Sequence, residues 1–216
     1  FASTWGEGIF ASYDNGQTWQ PASEELSELS MNALMTSRDG SLVSGTSKGV
    51  FVSEDGGEIW RRRNETISDL SVNTLAWGPN RDSVFLGTDE GLYRSEDSGQ
   101  SWIPVSIDEE SPSVQTLIIG PDGSSLFVGT YGDGIYRSDD NGYNWYTVND
   151  GLRSWIVMSL ASGPNGEELF AGTAAGIFRL DDRGESWEIG YSALQDIYVE
   201  TLVLGSDENR MFAGTS

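Results

Sequence analysis

The sequence predicts an all-β chain: a β-propeller of four-stranded antiparallel blades, about 42 residues per repeat, forming a single domain over residues 1–216. Three observations carry that prediction. Five tryptophans stand at 19, 60, 102, 145 and 187, separated by 41, 42, 43 and 42 residues. Each closes a tight acidic turn, and short alternating apolar segments recur ahead of each turn. A fixed period of this size marks a repeat architecture, in which one unit is too small to bury its own faces and stacks on its neighbours.

The elements follow in order within each repeat. The first segment alternates around a leucine: Met31-Asn32-Ala33-Leu34, Val72-Asn73-Thr74-Leu75, Val114-Gln115-Thr116-Leu117, Val157-Met158-Ser159-Leu160 and Val199-Glu200-Thr201-Leu202. Period-two alternation puts the leucine on one packed face and its immediate neighbours on the other. A turn signal comes next, as in Pro79-Asn80, Pro121-Asp122-Gly123 and Pro164-Asn165-Gly166. The second segment ends in Gly45-Thr46, Gly87-Thr88, Gly129-Thr130, Gly172-Thr173 or Gly214-Thr215, and Ser3-Thr4 is an imperfect sixth copy. A glycine at that place in a strand predicts a close approach of one blade to the next. The third segment reads glycine, aliphatic, aromatic, from Gly8-Ile9-Phe10 to Gly176-Ile177-Phe178. The acidic turn follows, and its tryptophan opens the fourth strand.

The census of segments is uneven. The first, third and fourth kinds occur five times, whereas the second occurs six times, at both chain ends. In a closed five-bladed ring, residues 1–4 and 212–216 would compete for one slot. The other arrangement is a segment of a larger propeller, and both stand at this point.

The turns occupy residues 12–19, 53–60, 95–102, 138–145 and 180–187; the third reads Ser95-Glu96-Asp97-Ser98-Gly99-Gln100-Ser101-Trp102. This Ser-x-Asp-x-Gly-x-Ser/Thr-Trp pattern resembles the Asp box, or bacterial neuraminidase repeat (BNR). The resemblance spans the whole chain. It implies that the box lies between third and fourth strands. Asp14, Asp55, Asp97, Asp140 and Asp182 would there accept backbone N–H bonds of their own turns. The box glycines would supply positive φ, and Trp19, Trp60, Trp102, Trp145 and Trp187 would pack between blades. Copy five departs with Leu180 for serine, and Ile59 and Asn144 replace the Ser or Thr of copies two and four.

Composition excludes several function classes. A formal charge of −22, from 34 acidic and 12 basic residues, repels nucleic-acid phosphates and anionic lipid. With neither cysteine nor histidine, thiolate chemistry, disulfides and the commonest general base and transition-metal ligand are gone. No metal or cofactor is expected. No apolar run approaches the roughly 20 residues of a membrane-spanning helix. The only basic cluster, Arg61-Arg62-Arg63, falls on an outer strand, where charge protects a sheet edge. Asn64-Glu65-Thr66 fits a glycosylation sequon.

A residue present in every repeat serves the repeat, so function belongs where the repeats disagree. The loops joining second to third strands and blade to blade share one face, opposite the boxes. They bring Trp5, Glu7, Lys48, Asp89, Glu90, Tyr131, Asp133, Arg153 and Trp155 to one rim as candidate ligand-binding residues, with Tyr198 among the inter-blade loops. Exposed aromatics among acids read as a sugar platform or a protein-docking patch. Asn32, Asn73, Gln115, Met158 and Glu200 align on the innermost strand, toward a central channel, where they hold water or a small polar ligand.

The resemblance includes secreted repeat proteins, sortilin-type receptors and photosystem II assembly propellers. It implies a non-catalytic binding or assembly scaffold outside the cytoplasm, with protein or carbohydrate as partner, within a larger chain or assembly. The alternative is a glycoside hydrolase, because sialidases and xyloglucan-cleaving enzymes also carry Asp boxes. The arginine triad of a sialidase has Arg153 as its main rim candidate, most other arginines falling on blade strands or in the triple cluster. A xyloglucanase-like pair needs two carboxylates across a cleft, which Glu7, Asp89 or Asp133 would have to supply. Fold likeness alone does not choose between binder and hydrolase.

Overall fold

A computed structural model describes residues 1–216 apart from 5, 24, 25, 28, 38, 64–66, 68, 80, 82, 164–167, 182, 183 and 206–209. Among the described residues six antiparallel sheets succeed one another. The first has three strands: β1 (Ala2–Ser3), β2 (Ile9–Ala11) and β3 (Gln20–Pro21). Four complete blades follow. The second sheet holds β4 (Met31–Thr36), β5 (Leu42–Thr46), β6 (Gly49–Ser53) and β7 (Arg61–Arg63); the third holds β8 (Val72–Trp77), β9 (Val84–Thr88), β10 (Gly91–Ser95) and β11 (Ile103–Val105). The fourth holds β12 (Val114–Ile119), β13 (Leu126–Thr130), β14 (Ile135–Ser138) and β15 (Tyr146–Thr147); the fifth holds β16 (Val157–Ser162), β17 (Leu169–Thr173), β18 (Gly176–Leu180) and β19 (Trp187–Ile189). The sixth sheet pairs β20 (Val199–Leu204) with β21 (Met211–Thr215). The expected order of four strands per repeat is observed.

Why these residues make blades is visible at three recurring points. The buried threonine closing each second strand clamps the following loop. Thr88 donates its hydroxyl to the Gly91 carbonyl and accepts the Glu90 N–H; Thr46, Thr130 and Thr173 repeat the pattern. The glycine before it is demanded by the neighbour: a Cβ on Gly45 or Gly87 would lie 2.3 Å from the Val72 or Val114 side chain of the next blade. Each innermost strand carries a β-bulge at its second residue, as between Val72 and Thr74. A bulged residue is free of the ladder, and its side chain is re-aimed.

The core lies between sheets. Val43, Val50 and Val52 of the second sheet pack with Val72, Val84, Leu86 and Trp102 of the third. The same junction recurs as Leu92, Val114, Leu126 and Tyr136, and as Phe127, Ile135, Val157, Phe178 and Trp187. Trp60, Trp102 and Trp187 are buried between blades and Trp145 is half-buried, as the box predicts. Trp19 departs from that expectation at 47% exposed, because no blade lies against its side of the first sheet among the described residues.

The two ends of the array stay apart. The last sheet packs on the fifth, yet no extended contact joins it to the first. Phe212 is consequently 62% exposed, whereas its equivalents Phe85, Phe127 and Phe170 are 0%, 1% and 4% exposed. The array is a partial propeller with two open faces. No helix of the described residues is long and apolar enough to cross a membrane.

Candidate functional site

The two faces of the array use their carboxylates differently. On the box face, Ser95 Oγ donates to Asp97 Oδ1 (2.8 Å) and accepts the Gly99 N–H (2.9 Å). Asp97 Oδ1 accepts the Ser101 N–H at 2.7 Å, and Oδ2 accepts the Ser101 hydroxyl. Copies one, two and four repeat the serine and aspartate contacts. Asn144 replaces the missing hydroxyl with an amide, donating to Asp140 Oδ2 at 2.6 Å; Ile59 supplies only its N–H. The glycines take the expected left-handed conformation, φ +88 at Gly99. These donors stabilise the ionised carboxylate. The Thr18 hydroxyl and then its N–H hold Asp14 at about 2. Backbone donors first, Ile59 and Asn144, depress Asp55 and Asp140; at Asp97 burial pushes upward and the Ser101 and Ser95 bonds outweigh it.

Copy five is wired differently. Asp182, the expected acceptor, lies outside the described residues. The Glu185 and Ser186 N–H groups both donate to Asp181 Oδ1, and the Ser186 hydroxyl to its Oδ2. Leu180 has no hydroxyl to hold a carboxylate two residues on, and the preceding aspartate takes the role.

On the opposite face the loops hold one another while leaving side chains free. The Tyr131 N–H donates to the Ser113 carbonyl, and the Gly132 and Gly134 N–H groups donate to the Trp155 carbonyl at 3.1 and 2.9 Å. A β-bridge from Tyr131 to Ile156 completes the link between blades four and five. The backbone is thereby fixed, and Tyr131 and Trp155 expose 55% and 57% of their surface. Tyr198, on the loop entering the last sheet, joins them: burial first, then the neighbouring Tyr131 and Glu200, pushes its phenol upward. Asp133 and Arg153 are exposed nearby in sequence on these loops, and Glu200 is exposed at the start of β20.

A second part of this face is acidic. Asp108, Glu109, Glu110, Ser113, Asp133 and Tyr136 line a cleft of about 340 Å³. The Tyr136 hydroxyl donates to Asp108 Oδ2 at 3.0 Å; burial and that bond push its pKa up to about 12. Sequence reasoning gave the third-strand aromatic no role of its own and missed this link. The signal was a hydroxyl where Phe10, Phe51 and Phe178 have none.

Other candidates are spent or dispersed. Asp89 accepts the Asn73 amide at 2.8 Å and the Ser113 hydroxyl at 3.4 Å. Lys48, Glu90 and Glu7 are exposed on three different blades, and the Lys48 carbonyl accepts from Arg62. Trp5 and the sequon at 64–66 lie outside the described residues. The aligned inner residues Asn32, Asn73, Gln115, Met158 and Glu200 are the bulge residues. Two of them staple blades: Asn32 donates to the Val72 carbonyl at 2.9 Å, and Asn73 to the Val114 carbonyl at 3.0 Å. Gln115 turns to Ser113 Oγ.

Among the described residues no group of His, Cys, Asp and Glu side chains has the spacing to hold a metal ion.

No curated protein matches the chain. Solved structures share its fold. The extracellular domain of the one-component system protein BT4673 from B. thetaiotaomicron superposes with a TM-score of 0.80 at 20% identity, over 97% of this chain and 28% of that one. The GH74 enzyme of Niastella koreensis gives 0.76 at 15%, covering 98% and 38%. The GH74 xyloglucanase from Xanthomonas campestris gives 0.75 at 15%, covering 95% and 39%. The chain thus spans well under half the length of each, and at these identities the likeness is one of fold. Residues 12–154, from the first Asp box past the fourth, match the family described as photosynthesis system II assembly factor YCF48. With that match over most of its length and the box turns built as described, the chain belongs to the YCF48-type BNR-repeat β-propeller family.

Proposed function

We propose that this chain is a non-catalytic binding and assembly scaffold, acting outside the cytoplasm, that docks a protein partner on the loop face around Tyr131, Trp155 and Tyr198. The observation that carries this reading is the contrast between a hydrogen-bonded loop backbone and freely exposed aromatic side chains. Rigid aromatics lose little conformational freedom on binding and dominate interface energetics. The assembly-factor family supports a protein as the partner. The surrounding carboxylates favour a cationic segment, which the indole of Trp155 also attracts. The extracellular sensor domain of like fold supports the location.

A carbohydrate ligand is the second reading, favoured by the same exposed rings. The hydrolase alternative has less support. Its general acid needs a carboxyl pKa raised by its surroundings. Among the described residues each carboxylate with a displaced pKa moves downward, the direction of a hydrogen-bond acceptor.

The test is selection from a random peptide library beside a panel of xyloglucan oligosaccharides. Enrichment of basic, aromatic peptides whose affinity falls about tenfold or more in Trp155→Ala is the expected result. Retention of the oligosaccharides alone would favour the second reading, and their cleavage would overturn both.

A further inference from the structure

We infer that Asn141 is a site of spontaneous deamidation, held closed by its own Asp box and by the preceding blade, so that amide loss there records opening of the junction between the third and fourth sheets. This inference rests on the box geometry and is independent of the loop-face reading. Asn141 is followed by Gly142. An Asn-Gly peptide reacts readily, because glycine has no Cβ to shield its own nitrogen. The Gly142 nitrogen attacks the side-chain carbonyl carbon of Asn141, the bond from that carbon to Nδ2 breaks, and ammonia leaves with the proton of the Gly142 nitrogen. The five-membered imide then takes up one water at either carbonyl. It opens to aspartate or to isoaspartate, whose main chain continues through the side-chain carboxyl.

Both reacting groups are restrained in the fold. Ser138 Oγ donates to Asp140 Oδ1 at 2.9 Å, which leaves its lone pairs to accept the Gly142 N–H at 2.9 Å. That nitrogen must lose its proton to attack, and Ser138 is fully buried, so the proton is shielded from hydroxide. The Tyr143 and Asn144 N–H groups are fixed on Asp140 Oδ1 in turn. The third sheet restrains the side chain. Asn141 Oδ1 is buried, and a Cβ on Gly78 would lie 3.2 Å from it. A Cβ on Gly142 would lie 2.7 Å from the Phe85 ring. Asn141 and Gly142 stand at φ +61 and +83. Closing the imide rotates this peptide, and the turn must first lift from Gly78 and Phe85.

The surroundings suit one of the two products. Arg94 is buried; its Nη2 pairs with Glu96 at 3.1 Å, its Nη1 donates to the Asn141 main-chain carbonyl at 3.4 Å, and its Nε has no partner. Ser83 Oγ is buried and unpartnered too, and it faces the same point beside Gly78 that Asn141 Oδ1 faces. An aspartate at 141 offers these donors a charged acceptor, which makes the stronger bond. A chain modified to aspartate therefore closes again. Isoaspartate lengthens the main chain between Asp140 and Gly142 and displaces the Gly142 N–H from Ser138, so the box stays open.

A reaction confined to the opened state proceeds at a rate set by the population of that state. The unaltered chain is incubated at mildly alkaline pH, both folded and unfolded in guanidinium chloride, beside folded Ser138→Ala. Digestion and mass spectrometry score the exchange of –NH₂ for –OH at Asn141 and at Asn15, whose Gly16 N–H is held by Ser12 Oγ at 2.7 Å. The expected result is amide loss at Asn141 at least about tenfold slower in the folded chain than in the unfolded one. Ser138→Ala should speed the loss at Asn141 and leave Asn15 unchanged. Equal rates at Asn141 in folded and unfolded chain would overturn the inference, and this arm decides alone should Ser138→Ala not fold. A folded Ser138→Ala that keeps its Asn141 amide as long as the unaltered chain would overturn it too. Asn141→Asp should unfold in urea at or above the midpoint of the unaltered chain; a lower midpoint would contradict the fit of the product.

Discussion

The Asp-box face and the loop face both carry carboxylates and put them to opposite uses. At Asp97 both carboxylate oxygens are occupied by donors from its own turn; Asp14 and Asp140 repeat that wiring, and Asp55 is held through Oδ1. On the loop face the backbone amides are satisfied by backbone carbonyls, and side chains such as Trp155 are left over. The lesson is that a repeated acid in a repeat protein is a fold device. Binding chemistry is sought where a side chain is held in place without being used.

The comparison breaks most visibly at the tryptophans. Trp102→Ala removes a buried ring from a blade junction and is expected to cost about 3–5 kcal/mol, whereas Trp19→Ala, on an open face, costs less than about 1 kcal/mol. Urea unfolding of the two variants checks the difference. Equal losses would mean that Trp19 is buried in solution.

Asp97→Ala comes next. It orphans the Ser101 N–H and the Ser95 hydroxyl, for an expected loss of about 0.5–2 kcal/mol, comparable to that of a helix cap. The same substitution at Asp133, whose side chain accepts no bond in the structure described, should leave the urea midpoint nearly unchanged.

Acid sharpens the contrast further. Folding holds Asp14 at about 2, below the 3.8 of an unperturbed aspartate, so between those values the folded chain binds fewer protons than the unfolded one. Its contribution is complete above pH 3.8 and is lost as pH falls through about 2. Asp55, Asp97, Asp140 and Asp181 are displaced in the same direction and add to the effect. Urea midpoints should therefore decline across that window, and less steeply in Asp14→Asn. The smallest effect is expected at Trp155→Ala, within about 0.5 kcal/mol of the unaltered chain in the same assay.

Most of the blade architecture was legible because its determinants are local and repeated. The clamping threonine, the bulged first strand and the box each depend on residues within one repeat, and the glycine meets the same valine in each following one, so five copies average out single departures. Two things were not legible. The box register in copy five depends on what Leu180 fails to do, and neighbouring aspartates at 181 and 182 look alike to a pattern. The bulge made inter-blade staples of Asn32 and Asn73 where alternation alone suggested a channel lining. The loop face was legible as a set of unequal loops. The tie of the Tyr131 loop to Trp155, and that from Tyr136 to Asp108, arise from contacts between blades that no single repeat contains.

The most direct measurement of the central claim is a paired one: affinity of a library-selected peptide for Tyr131→Ala/Trp155→Ala and for Tyr13→Ala/Tyr143→Ala. The second pair removes still more exposed aromatics from the box face, 74% and 67% exposed. Loss of binding in the loop-face variant with full affinity in the box-face variant is the predicted result. Full affinity in the loop-face variant, with loss in the other, would place recognition on the box face and contradict the account.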